Sequence, residues 1–197
     1  MQDKALFKEY TDIFLEENHK LNLISKNDEK YLWEKHIYDS LAMGLFFEKY
    51  ITPKTMLDFG TGGGFPSVPL AIAYPQIKIT ALDSIAKKVR SVEFFKEKLN
   101  LKNLDVVCAR VENYDSKFEV VTSRAVSCLK NICEYALPRL EKGGYFVAYK
   151  SRKSPQEISE ALSVLKKHRA KIIDVIDYKL PLEEEHSRNL IIIKQEQ

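Results

Sequence analysis

From residue 54 onward, short apolar runs alternate with amphipathic helical segments, and that alternation leaves few folds open. TMLDF precedes PSVPLAIAY, KITALD precedes SIAKKVRSVEFFKEKL, and LDVVCA precedes a short turn. FEVVTS then precedes VSCLKNICEYALPRL, YFVAYK precedes SPQEISEALSVLKKHR, and two further strand-like runs follow, KIIDVIDY and NLIIIK. Strands interleaved with helices imply crossover units and a parallel sheet covered on both faces. The right-handed crossover rule then prunes the topologies. The expectation is an α/β, doubly wound, mostly parallel seven-stranded sheet over residues 51–197, preceded by an N-terminal helical cap over residues 1–50. In the cap, Leu6, Tyr10, Ile13, Phe14 and Glu17 recur at helical spacing. A second helix is expected from about Glu29 to Phe47, after the irregular connection LNLIS.

Composition narrows the class. A chain of 197 residues can bury one substantial core. With 45% hydrophobic and 30% charged residues it is neither disordered nor fibrous. No apolar stretch approaches the ~20 residues of a membrane span, and MQDKALFKEY lacks the apolar core of a signal peptide. Cys108, Cys128 and Cys133 are odd in number, with no CxxC pair, so reduced core thiols are expected rather than a disulfide or metal site. A cytoplasmic protein without membrane or metal partners is the expectation, with a monomer as its state. A net charge of +3 says nothing by itself about nucleic acid; the placement of the charges must decide.

Four of the seven glycines fall within five positions, in MLDFGTGGGFP. Glycine loses the most backbone entropy on folding, so such a cluster implies a close approach to bare main chain. In a doubly wound sheet, ligands lie beyond the C-terminal strand ends, which is where Gly60 begins its loop. A helix is expected to start near Pro66. The spacing is GxGxG at Gly60, Gly62 and Gly64; Phe65 stands where a dinucleotide fingerprint needs glycine, and no GK[ST] of a P-loop follows. Asp83 ends the next strand, 23 residues after Gly60, where a carboxylate can accept both hydroxyl protons of a ribose. Adenosine without a pyrophosphate fits the two features together, which points to S-adenosylmethionine. The competing reading is a tight turn that binds nothing.

DFGTGGGFPSVPLAIAYP, LDSIAKKVRSVEFF, CARVENY and VTSRAVSCL, with LNLIS and HIYDSL near the start, resemble the bacterial RsmG (GidB) family over most of the chain. That resemblance implies the class I S-adenosylmethionine-dependent methyltransferase fold and methylation of N7 of a guanine in 16S ribosomal RNA. It also implies a cofactor site of Gly60, Phe65, Val111, Glu112 and Arg124, which Gly62, Gly64 and Asp83 join on the physical grounds above. Val111 could cover the adenine or be ordinary core. Glu112 could equally be a helix-start acid.

Guanine N7 carries an exposed lone pair, so no base has to remove a proton and catalysis is by positioning. No covalent catalyst is visible: Cys128 is expected in a helix core. Arg124, at a strand end, could hold the cofactor carboxylate or an RNA phosphate with its fork of donors, or form a structural salt bridge. Candidate RNA contacts are Lys150, Arg152 and Lys153 after the fifth strand, then Arg110, and Lys87, Lys88 and Arg90. His36, Asp39 and Ser40 share a helix face and are expected to join the cap to the sheet, and His186 is expected in a surface loop near the substrate. The alternatives to RNA methylation are a non-catalytic nucleotide- or RNA-binding module on the same fold and a methyltransferase acting on a small molecule.

Overall fold

The computed structural model describes residues 3–151 and 155–196. Its centre is a seven-stranded sheet in the order β3-β2-β1-β4-β5-β7-β6. The strands are β1 (Thr55–Phe59), β2 (Lys78–Asp83), β3 (Leu104–Cys108), β4 (Phe118–Arg124), β5 (Leu140–Lys150), β6 (Ala170–Lys179) and β7 (Ser187–Gln195). β1 to β5 pair in parallel, while β7 runs antiparallel to both β5 and β6. Strand order reverses between β1 and β4, which creates the crevice where such folds take ligands.

Strand side chains alternate between faces, and the two apolar clusters follow that alternation. Met56, Ile79, Val120, Val147 and Ile192 belong to one cluster; Leu57, Leu82, Val121, Phe146 and Ile193 belong to the other. Against the second face pack α7 (Leu129–Ala136) and α8 (Pro155–Lys167). Against the first pack α5 (Ser67–Ala73), α6 (Ala86–Lys98) and the N-terminal helices. The segment before β1 therefore completes the core of one face and adds no core of its own.

α1 (Lys4–Leu21) starts on Asp3, whose carboxylate accepts from Leu6 N–H. Its buried stripe is Phe7, Tyr10, Phe14 and Asn18, one position round from the expected one, since Leu6 and Ile13 are only half-buried. Asn22 ends it in a left-handed conformation. Asn18 then binds across the connection, donating to Glu29 at 2.7 Å and accepting from Ile24 N–H at 2.8 Å.

The expected second helix forms over residues 32–49 with one turn residue at Ala42, but its hydrogen bonding is not uniform. The chain makes α2 (Lys26–Glu29), a π-helical turn (Trp33–Tyr38), α3 (Asp39–Leu41) and α4 (Met43–Lys49). Side chains from the sheet bond two carbonyls of this segment: Arg124 donates to Lys35 O in the π turn, and Tyr149 to Ser40 O in α3 at 2.6 Å. These partners lie more than eighty residues away in sequence, so local periodicity could not reveal these bonds. Cys128 is also corrected. It is the N-cap of α7, half-buried, whereas Cys133 lies inside that helix's buried face. Burial pushes the Cys133 thiol up to about 12, which makes it inert.

Candidate active site

The glycine loop joins β1 to α5 at the crevice. Its amides are largely committed: Gly60 and Thr61 donate to Leu82 O, and Gly64 and Phe65 to Thr61 O. The glycines answer different needs. A Cβ on Gly60 would lie 2.4 Å from Val126 Cγ2, and one on Gly64 would lie 2.7 Å from Val68 Cγ2. Both also hold left-handed backbone, at φ +71° and +92°, so conformation and packing together keep them bare. At Gly62, φ is +59° and a Cβ would meet nothing nearer than 3.9 Å. Only there does the loop turn an open, side-chain-free face outward.

Asp83 fastens that loop. Its Oδ2 accepts from Gly62 N–H and its Oδ1 from Ile85 N–H, each at 2.9 Å. Each carboxylate oxygen has a further lone pair, so the group can still accept from two hydroxyls. Ile85 beside it is half-exposed and apolar. Across β2, Ala109 N–H donates to Asp83 O, which sets the register of the next loop. Val111 is buried, and Glu112 lies in the short 3-10 turn Val111–Asn113. Arg139 holds this turn by donating to Glu112 O at 2.7 Å and to Tyr114 O at 3.0 Å. It comes from a distant helix end, and no local pattern marks it as part of the site. The bare turn, the paired acceptor and the apolar neighbours fit a nucleoside with a free ribose.

Asp58 lies beneath the loop at zero exposure. Its Oδ2 accepts from Ser67 N–H, while Oδ1 has no hydrogen-bond partner. Burial raises its carboxyl to about 6, against hydrogen bonds from Thr61 and Ser67 and the charge of Arg124, which pull it down. Folding therefore takes up a proton between about pH 4 and 6, and stability should fall as pH rises through that window. Asp58→Asn is expected to flatten that fall and to gain on the order of 3 kcal/mol at pH 8. Urea titrations of both proteins at pH 4.5 and 8 would show it, and parallel pH dependences would refute it.

At the end of β4, Arg124 is the hub of a network that crosses the fold. It donates to Asp39 Oδ2 at 2.9 Å and contacts His36 Nδ1 at 3.1 Å. Its guanidinium lies 5.1 Å from the centre of the Phe65 ring. Tyr178 of β6 donates to the other oxygen of Asp39 at 2.7 Å. Burial, then the charge of Arg124, lowers His36 to about 4. The neutral ring accepts through Nδ1, so its proton sits on Nε2. Phe65 itself is buried among Tyr10, Phe14 and His36, and only its backbone belongs to the loop. His36, Asp39 and Ser40 thus tie the N-terminal helices to the sheet, and the Arg124 fork is engaged by protein.

Beside this network opens a cleft of ≈ 450 Å³ at the ends of β4 and β5, within the usual range for ligand sites. Lys35, His36, Arg124, Val126, His186 and Arg188 are in its walls. The basic residues expected to meet RNA are spread more widely. Lys150 donates to Glu157 at 2.8 Å and to Ser127 O at 2.9 Å, so its ammonium braces the β4–α7 loop. Arg152 and Lys153 lie outside the described residues. Arg110 is exposed before the Val111 turn. Lys87, Lys88 and Arg90 crowd the start of α6, which has no acid in its first turn. Cations there oppose the helix dipole, and Lys88 Nζ lies 4.0 Å from where a Gly62 Cβ would stand. Among the described residues no cluster of His, Cys, Asp and Glu could hold a metal ion, and no helix is long and apolar enough to cross a membrane.

This strand order and loop are those of the class I S-adenosylmethionine-dependent methyltransferase fold. A Pyrococcus horikoshii structure described as a candidate RNA methyltransferase superposes with a TM-score of 0.65 at 12% identity, covering 81% of this chain and 84% of its own. The [4+2]-cyclase SpnF superposes at 0.61 with 14% identity and 80% of each chain covered. Fold alone therefore leaves the reaction open.

Sequence relationships close in further. Residues 3–190 match the family model for rRNA small subunit methyltransferase G, and the chain belongs to that family. A Staphylococcus saprophyticus protein named ribosomal RNA small subunit methyltransferase G is 38% identical, covering 95% of this chain and 80% of its own. A Staphylococcus aureus protein of the same name is 35% identical, with 98% and 83% covered.

Proposed function

We propose that this protein transfers a methyl group from S-adenosylmethionine to N7 of a guanine in 16S ribosomal RNA, in the cytoplasm. The observation that carries the reading is the open main chain at Gly62, held by Asp83 beside a basic cleft on the ligand edge of the sheet. When bound, the cofactor supplies a methyl activated by sulfonium, and the acceptor nitrogen needs no deprotonation. Asp83, Ile85 and Val111 serve the nucleoside end, with the Glu112 turn beside them. Gly60 and Gly64 let the loop close on itself, and the Phe65 backbone completes it. Arg124 positions: its charge would repel a sulfonium at close range, while its bonds to Asp39, His36 and Lys35 keep the cleft wall in place. Lys88, Lys87, Arg90 and Arg110 form a basic rim for phosphate. Alignment of nucleophile, methyl and sulfur is enough to drive such a transfer.

The test is incubation with methyl-labelled cofactor and either 30S subunits or 16S RNA, followed by mapping of the labelled base. Label at a guanine N7 is expected, with RNA affinity falling as salt rises. Cofactor binding without methyl transfer to either RNA would refute the enzymatic reading, and salt-insensitive binding would point to a small-molecule acceptor.

A further inference from the structure

Three of the four glycines in the loop take a left-handed φ, and Gly63 does not. Its backbone therefore makes no demand for glycine, and the GxGxG spacing passes over it. What keeps Gly63 bare comes from beyond the end of α1. A Cβ there would lie 3.2 Å from Leu23 Cβ, with the Phe14 ring next at 3.6 Å. Leu23 Cβ is fixed to main chain, so the connection between α1 and α2 would itself have to give way.

That connection is tied down by one residue. Asn18, 1% exposed, accepts from Asn22 N–H on its main-chain oxygen at 2.9 Å and from Ile24 N–H on its side-chain oxygen at 2.8 Å. Its amide nitrogen donates to Glu29 at the end of α2. Leu23 lies between the two anchored N–H groups and packs on the apolar cluster of that face. A buried amide that fixes the chain on both sides of one leucine makes a stiff strap, and the strap rests on the glycine loop.

Gly62 and Gly63 are the middle residues of the turn that Gly64 N–H closes onto Thr61 O. They share a peptide unit. The first is fastened by Asp83 and turns its open face outward, while the second is backed by Leu23. A shift of a few tenths of an ångström at Gly63 therefore tilts the surface that Gly62 presents. Two residues on, the Phe65 ring packs against Tyr10 and Phe14 of α1, so the N-terminal segment meets the loop twice.

We propose that Leu23, held by Asn18, is a positioning residue of the cofactor site. It backs Gly63 and so fixes the main chain that Gly62 offers to S-adenosylmethionine. A reaction driven by alignment is sensitive to small displacements of the groups that seat its reactants, and the residues behind a site set how tightly it is held. The inference rests on the cofactor reading above and not on the choice of RNA as acceptor.

The test compares Gly63→Ala, Leu23→Ala, the two together and Leu23→Met with the wild type, by calorimetry with S-adenosylmethionine. Gly63→Ala should weaken binding about tenfold by pushing on the strap, and Leu23→Ala about as much by freeing it from the apolar cluster. The pair should lose clearly less than the product of the two, because a loosened strap yields to the new methyl. Leu23→Met keeps the apolar contact and should bind near the wild-type value. In methyl transfer both single variants should raise KM for the cofactor and leave KM for RNA unchanged, a split that a general loss of stability would not produce. Hydrogen exchange on the wild type needs no variant: the cofactor should slow the Ile24 amide more than the amides of α8 on the opposite face. Wild-type cofactor affinity in both single variants would overturn the proposal. So would fully multiplicative losses in the pair, or an Ile24 amide slowed no more than those of α8. A wild type that binds cofactor but methylates no RNA would sink the acceptor assignment alone, with calorimetry still deciding the role of Leu23. A wild type that binds no cofactor would remove both.

Discussion

Arg124→Ala should lower the stability of the fold by about 3 kcal/mol, because it leaves the Asp39 carboxylate buried without its principal cation. The side chains are only 14% and 8% exposed, so solvent cannot take over the lost partner. Tyr178 still donates to Asp39, which keeps the effect toward the lower end of the range for broken buried pairs. For a chain of this length, that corresponds to a fall in Tm of roughly 6–12 °C. Asp39→Ala should cost a comparable amount, since it strands the guanidinium between His36 and Phe65. The double variant should lose clearly less than the sum of the two, because the stranded charge is then gone. Strictly additive losses in thermal melts would mean that the pair contributes nothing as a pair. Arg124→Lys should not rescue, since an ammonium cannot reproduce a fork that reaches Asp39, His36 and Lys35 O together.

Asp83→Ala should weaken S-adenosylmethionine binding at least ~100-fold, from the loss of charge-assisted hydrogen bonds worth about 1.5–3 kcal/mol each. Two effects combine. The carboxylate that would meet the ribose disappears, and the Gly62 and Ile85 amides lose the acceptor that shapes both loops. Asp83→Asn should recover little, because its amide nitrogen would face one of those two N–H donors. Calorimetry with the cofactor and with its demethylated product decides the matter. Affinity within a fewfold of wild type would remove the acid from the site.

Much of this architecture is legible from pattern. The apolar runs at 55–59, 78–83, 104–109, 118–123 and 145–150 mark strands, though β3 ends one residue before its run and β5 begins five residues before its own, because period and length follow from burial on one or two faces. GxGxG with Asp83 announces a tight loop fastened by an acid, since positive φ at Gly62 and an acid at the next strand end are local requirements. The N-terminal helices were harder. A helix over 29–47 follows from periodicity, but its π turn and the bonds that Arg124 and Tyr149 bring to it from the sheet do not. The glycines were legible as a group but not one by one. Gly60, Gly62 and Gly64 all take positive φ, but the further contacts of Val126 with Gly60 and Val68 with Gly64 do not follow from the motif.

By itself the sequence determined the class of fold, the position of the loop and the acid that anchors it, because each depends on residues within one strand–turn–helix unit or its immediate successor. Tertiary structure alone decided which charges are engaged and which stand at the edge where the parallel strands end. Lys150 is drawn into a brace with Glu157, Arg124 into a buried network, and Arg188 is delivered to the ligand edge by an antiparallel last strand. The physical reason is that a charged side chain's role is set by the partner within a few ångströms, and in a doubly wound sheet that partner usually comes from a strand or helix far along the chain.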